Sequence, residues 1–264
     1  MLTTQPTREP YLSDLTDAQW EILSQWIPAP KPGPQVPKYD RREILNAILY
    51  QKRTGCQWRY LPHDFPPWEL VAKYFYRWQG EDLWERISEA LREEVRTKEG
   101  RDPEPSLGII DSQSIKTTEQ GGPSGYDAGK KVKGRKRHVL VDVLGLLVAV
   151  VITVASVQDR DAVGMLLREA KANAPRLQNV LVDGAYTGKA IEQASRENQV
   201  TITMVKRPEV HKFVVIPMRW VVERTFGWMN RDRRLAKDYD RTMDSSKAWV
   251  QLSSIQLMTK RLAS

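Results

Sequence analysis

Two aspartates each close an apolar run: Asp111 in LGIIDSQSIK and Asp183 in NVLVDGAYTG. Aliphatic, β-branched runs favour buried strands, and the ends of such strands in α/β sheets are where sites form. Two carboxylates delivered from neighbouring strands repel each other, so at neutral pH they need a cation between them or a retained proton. Hard oxygen donors select Mg²⁺, with Mn²⁺ as substitute. Glu223, in IPMRWVVERTFGWMNRDRRLAKDYD, is the best third carboxylate. Steps of four, four, three and four from Arg219 put Glu223, Gly227, Asn230 and Arg234 on one helical face, an acid flanked by bases. Carboxylates to hold an ion and guanidinium groups to grip neighbouring phosphates suit metal-assisted attack on a phosphodiester.

A second cluster is basic. Residues 130–137 hold Lys130, Lys131, Lys133, Arg135, Lys136 and Arg137, six bases with no acid, and glycines at 129 and 134. A charge run is commonly a solvated face. Here it follows the first carboxylate-bearing strand, so a loop contacting the DNA backbone is expected. His138 reads as strand packing or a DNA contact before a metal ligand. Asp159 or Asp161 is expected to cap the helix that follows, although the QDRD run can also line the metal site.

Two kinds of element must position these groups. Six of the nine tryptophans fall in the first third, where apolar residues recur at helical spacing. Thr16 with Gln19 forms a capping box for a helix over 17–27, and Asp40 with Glu43 repeats the pattern ahead of a helix ending at Gly55. Pro66 and Pro67 open a third helix, and a fourth carries Leu83, Ile87, Leu91 and Val95. Trp58, Trp68, Trp78 and Trp84 are expected in the core. The charged, Pro-containing stretch 98–106 marks a boundary. Beyond it short strand-like runs come first, then strands alternating with helices over 161–173, 188–198 and 217–237, which predicts a mixed sheet flanked by helices. The expected organisation is a helical module over 1–97 that folds alone, a linker over 98–106 and an α/β domain over 107–264.

Composition limits the function. The 264 residues carry a net charge of +8, which suits a polyanion-facing protein, and 41% hydrophobic residues suffice for a packed core. One Cys and three His exclude an intrachain disulfide and a Cys/His zinc site. No signal peptide or membrane span is apparent, so a cytoplasmic protein without membrane partners is expected.

The stretches LTDAQWEILSQWIP, RREILNAILYQKRTGCQWRYLP and DFPPWELVAKYFYRW, with IIDSQSIK, VLVDGAYTG and RWVVERTFGWMNRDRRLAKDYD, resemble a bacterial insertion-sequence transposase of the DDE type, of the group called insertion sequence five, over nearly the whole chain. The resemblance implies a ribonuclease-H-like α/β fold in which Asp111, Asp183 and Glu223 bind two divalent ions. It implies an enzyme that cuts double-stranded DNA at terminal inverted repeats and joins the freed 3′-OH to target DNA, acting as a homo-oligomer on DNA at the nucleoid. Wider relatives place a Tyr, an Arg, the Glu and a Lys around the third acid. Arg219 and Glu223 match, whereas Ile216 and Asn230 stand at the Tyr and Lys positions, leaving Arg231 or Arg234 to replace the Lys. About forty residues separate Asp183 from Glu223, too few for a large inserted β domain. The alternatives are a Mg²⁺-dependent nuclease of the same fold without strand transfer, and a DNA-binding repressor that no longer uses its acids.

Overall fold

The computed structural model describes residues 8–29, 38–119, 121–205 and 220–264. Four helices precede the sheet: α1 (Asp17–Ser24), α2 (Arg41–Thr54), α3 (Trp68–Gly80) and α4 (Leu83–Lys98), with a 3-10 turn at Trp58–Tyr60 between α2 and α3. The capping box forms, with the Gln19 N–H donating to Thr16 Oγ1 and the Thr16 N–H to Gln19 Oε1. At α2 only half the expected pattern forms. Asp40 accepts from the Arg42 N–H, while Glu43 is drawn to Arg8 at 2.9 Å and to Asn46. Gly55 ends α2 at φ +70°, where a Cβ would meet Arg233 at 3.2 Å, so turn and close approach both require glycine.

The strands are β1 (Leu107–Lys116), β2 (Gly125–Asp127), β3 (Val132–Asp142), β4 (Leu147–Val154), β5 (Asn179–Val182) and β6 (Thr201–Met204). β3 lies antiparallel to β1, β2 and β4, whereas β5 runs parallel to β1 and β6 parallel to β5. The order β4-β3-β1-β5-β6, an antiparallel set followed by parallel strands, is the ribonuclease-H-like arrangement.

Side chains alternate across the sheet. Ile110, Leu140 and Ala149 join the core beneath α5 (Asp159–Asn173) and α6 (Lys189–Asn198). Ile109, Val139 and Val150 turn the other way, toward α7 (Trp220–Met229) and α9 (Met243–Leu262). Leu15, Leu45, Val71, Phe75, Trp84 and Leu91 of the N-terminal helices belong to this second core. Phe75 stacks on Trp249 at 4.3 Å between ring centroids, joining α3 to α9. The chain passes from helix to strand between Lys98 and Leu107, and the N-terminal helices share one core with α7 and α9. Of the four tryptophans assigned to the core, Trp78 and Trp84 are fully buried, and Trp58 and Trp68 are partly buried against it.

Two expectations about helices need correction. The helix over 217–237 is interrupted: α7 ends at Met229, a turn follows, and α8 (Arg233–Ala236) is a separate short helix. The start of that expected helix, 217–219, lies outside the described residues. Sequence periodicity also overlooked α9, because this helix is buried on nearly every side, with Ser245, Ser246, Ser253 and Ser254 among its buried positions. A helix enclosed all round shows no amphipathic stripe.

Candidate active site

β1 and β5 pair in parallel with Leu107 opposite Asn179, Gly108 opposite Val180 and Ile109 opposite Leu181. Two further steps along the same register set Asp111 level with Asp183. Equivalent positions on parallel strands project from the same face, here the face shared with Ile109 and α7. β1 does not stop at Asp111 as the sequence suggested; it runs on to Lys116 against β3. What ends there is β5, after Val182, so Asp111 occupies a stretch of β1 left uncovered on that side. Asp111 accepts from the Ser112 N–H at 2.7 Å, and Asp183 accepts from the Ala185 N–H at 2.9 Å. Both carboxylates are half-buried.

Glu223 lies on the exposed side of α7. Val221, Val222, Thr225, Phe226 and Met229 are buried, which leaves Trp220, Glu223 and Gly227 outward. The Thr225 hydroxyl donates to the Gly145 carbonyl at 2.9 Å and Arg224 to the Leu144 carbonyl at 3.0 Å, so α7 is anchored on the β3–β4 turn. Just past α7, Asn230 Oδ1 accepts from Gln113 Nε2 at 3.4 Å, bringing the helix end to β1 two residues beyond Asp111. Asp111 and Asp183 are thus brought level, while Glu223 stands apart from them. Among the described residues no three His, Cys, Asp or Glu side chains form a metal-holding group. A Cβ on Gly184 or on Gly227 would meet nothing within 4 Å, so the space next to Asp183 and Glu223 is open.

The two level carboxylates supply oxygen donors alone, which suits a hard divalent ion. Lys130 reaches the residue after the first of them: its Nζ donates to the Ser112 carbonyl at 2.9 Å and hydroxyl at 3.0 Å. Tyr186, which the sequence reading did not single out, is buried beside the pair. Burial pushes its phenol well above the ordinary value, and the charges of Asp159, Asp111 and Asp183 add to the effect. Its spacing, three residues after Asp183, was the available signal.

The basic run is corrected most. It forms strand β3 rather than a loop, and Arg135, Lys136 and Arg137 are buried. Arg135 pairs with Asp238 at 3.2 Å, and Arg137 donates to the Leu235 carbonyl at 2.8 Å. Lys136 bridges Asp127 at 3.1 Å and Asp159 at 2.9 Å. Burial alone would raise the Asp127 carboxyl, but hydrogen bonds from Ser114, the Lys130 N–H and Lys136 outweigh it and hold the group far below the carboxylate range. Only Lys130, Lys131 and Lys133 remain exposed in this run. Arg234 is likewise buried, paired with Asp240 at 2.7 Å on α8, and not on the Glu223 stripe. Arg231 is exposed, and Arg219 and Ile216 lie outside the described residues. His138 is buried with Nε2 3.0 Å from the Thr153 hydroxyl, and burial pushes it down to about 4. Gln158, not Asp159 or Asp161, holds the N-cap position of α5, and Asp159 faces Lys136 instead.

The strand order and directions, with α7 and α9 against one face and α5 and α6 against the other, define a ribonuclease-H-like α/β domain. The chain belongs to the transposase DDE domain family, whose model matches residues 102–257; a second model, described as "Putative transposase of IS4/5 family", matches residues 15–106. It is 30% identical over 140 residues to the "Putative transposase for insertion sequence element IS402" of Burkholderia cepacia, covering 50% of this chain and 64% of that protein. It is 34% identical over 64 residues to the uncharacterized protein y4sN of Sinorhizobium fredii (strain NBRC 101917 / NGR234), covering 24% of this chain and 51% of that protein. The chain therefore spans between half and two thirds of the length of these curated relatives. The crystal structure of the Mos1 mariner paired end complex with Mn aligns over 92% of this chain and 85% of that chain, at 11% identity and a TM-score of 0.32. Among the described residues no helix is long and apolar enough to cross a membrane.

Proposed function

We propose that the chain is a DNA transposase that cuts at the ends of an insertion sequence and joins the freed 3′-OH to target DNA. The observation that carries this reading is the level placement of Asp111 and Asp183 on adjacent parallel strands, facing the helix that bears Glu223. Asp111, Asp183 and Glu223 would hold divalent ions, with Mg²⁺ the expected species and Mn²⁺ a substitute. Such ions lower the pKa of bound water and stabilise the attacking and leaving oxygens.

In the first step a water oxygen attacks the phosphorus at the element end, the P–O3′ bond breaks, and the leaving oxygen takes up a proton as a 3′-OH. In the second, that 3′-OH loses its proton as its oxygen attacks a target phosphorus, and the target P–O3′ bond breaks to release a target 3′-OH. No side-chain nucleophile is needed. Lys130, held beside Ser112, supplies positive charge next to the reacting phosphate, and Gly184 and Gly227 leave room for a backbone to approach. Lys130, Lys131, Lys133, Arg219 and Arg231 are assigned to DNA phosphates. The proposed setting is the bacterial cytoplasm, with double-stranded DNA carrying terminal inverted repeats as partner and a homo-oligomer forming on it.

The test is incubation of the full chain with DNA carrying its own flanking repeats, Mg²⁺ and a target plasmid, followed by sequencing of ends and junctions. Joined products with the repeat at the junction support the proposal. Cleavage without joining leaves a nuclease, and binding without cleavage leaves a repressor.

A further inference from the structure

The segment MNRDRRLAKDYDRT, residues 229–242, mixes acids and bases along the chain, and the fold sorts them. Asp232 is taken up by Lys52 at 2.5 Å, Asp238 by Arg135 at 3.2 Å and Asp240 by Arg234 at 2.7 Å, and all three acids are buried. Arg231, Arg233 and Arg241 stay exposed and Lys237 half-buried. Arg53 of α2, also exposed, donates to the Arg231 carbonyl at 2.6 Å and extends the cationic edge. A segment of mixed charge thus presents an outer surface of bases.

This edge borders an open groove of about 1360 Å³ between the 3-10 turn, α3 and the chain just beyond β1. Three tyrosines line it and face solvent, Tyr60 at 73% exposure, Tyr76 at 48% and Tyr239 at 46%, with Lys237 and Arg241 beside them. Among the described lining residues Glu119 is the exposed acid. The volume exceeds the roughly 300–1,000 Å³ of a small-molecule site and fits a length of polymer. Exposed aromatic faces among cations are the elements of single-strand recognition, in which bases stack on rings and the backbone follows the charge. In a duplex the base faces are covered by one another. β1 leads from the carboxylates to this groove, since Thr117 at its wall lies six residues past Asp111, about 20 Å of extended chain.

We infer that this groove binds unpaired DNA, a separated strand leading away from Asp111 and Asp183. The inference rests on reading the chain as a DNA-processing enzyme, and its test is independent of cleavage. In EDTA, the full chain is titrated by fluorescence anisotropy against a labelled oligothymidylate of about 20 nucleotides and against a random duplex of the same length. Tyr76→Ala and Tyr239→Ala each weaken oligothymidylate binding by roughly 5- to 150-fold, the value of one lost stacking contact, and leave duplex binding within about twofold. Tyr239→Trp retains it. Thermal melts confirm folding, and because Tyr76 and Tyr239 sit on separate elements, either variant alone decides the matter. Absence of oligothymidylate binding by the parent, unchanged binding by either folded Ala variant, or equal loss on duplex overturns the inference. If DNA joining succeeds while this titration fails, the transposase reading stands and the groove assignment falls.

Discussion

Lys52 of α2 donates to Asp232, in the turn after α7, across 2.5 Å in a fully buried contact between residues 180 positions apart. Burial pushes the Lys52 ammonium below its ordinary value and the Asp232 charge opposes that shift. The Ser253 hydroxyl and Gln256 complete the cluster at 2.8 Å each. A residue of the first helices therefore secures the end of the helix that carries Glu223.

One consequence concerns autonomy. Leu15, Leu49, Trp84 and Ile87 line one small apolar space with Leu252 and Ile255 of α9. The fragment 1–97 is expected to lack a cooperative thermal transition by circular dichroism, because removing α9 exposes that surface. Lys52→Met in the full chain should cost about 3–5 kcal/mol, since it leaves Asp232 buried without its partner. A sigmoidal melt of the fragment matching that of the full chain would establish an independent module after all.

Replacing a carboxylate separates chemistry from binding. Asp111→Asn, Asp183→Asn and Glu223→Gln should each lower cleavage by more than about 100-fold, above the range seen when groups that only support a metal ligand are lost. Affinity for terminal DNA should hold, as none of the three is a phosphate contact. Ca²⁺ should support DNA binding but little cleavage, because its looser coordination orients water poorly. Cleavage assays paired with gel shifts read both effects, and full activity in one variant removes that residue from the set.

The basic run should divide in two. Lys130→Gln, Lys131→Gln and Lys133→Gln, all exposed, are expected to flatten the dependence of log affinity on log salt by up to about 0.9 per lost contact, with sequence preference little changed. Arg135→Gln and Arg137→Gln are expected instead to unfold the protein at lower urea, by about 3 kcal/mol or more for the Asp238 partner left unpaired in the first. A salt slope unaffected by the exposed triple variant makes that surface a solvated face.

His138 sets a pH window. Its folded-state pKa of about 4 lies below the roughly 6.5 of an unfolded histidine, so between those values the unfolded chain takes up the proton and the folded chain does not. Stability is complete above about pH 6.5 and falls as pH drops toward 4, by up to about 3 kcal/mol. His138→Gln should flatten urea midpoints across that window. An equally steep decline in the variant assigns the acid sensitivity elsewhere.

Local signals were strong where chemistry is local. The Thr16–Gln19 cap, the glycine ending α2, the prolines before α3 and the apolar runs leading to Asp111 and Asp183 depend on neighbours a few residues away, and all are legible in the sequence. The shared register of β1 and β5 could be anticipated only as an adjacency, because strand pairing depends on residues about seventy positions apart. Charge was least legible. A Lys or Arg in sequence carries no mark of whether a distant Asp will neutralise it, so Arg135, Lys136 and Arg234 looked like surface bases until Asp238, Asp127, Asp159 and Asp240 folded against them. Helix α9 escaped for a related reason, since burial on all sides erases the periodicity by which a half-exposed helix is recognised. Residue type and spacing thus determined the chemistry available to this chain, and tertiary packing decided which charges remained exposed.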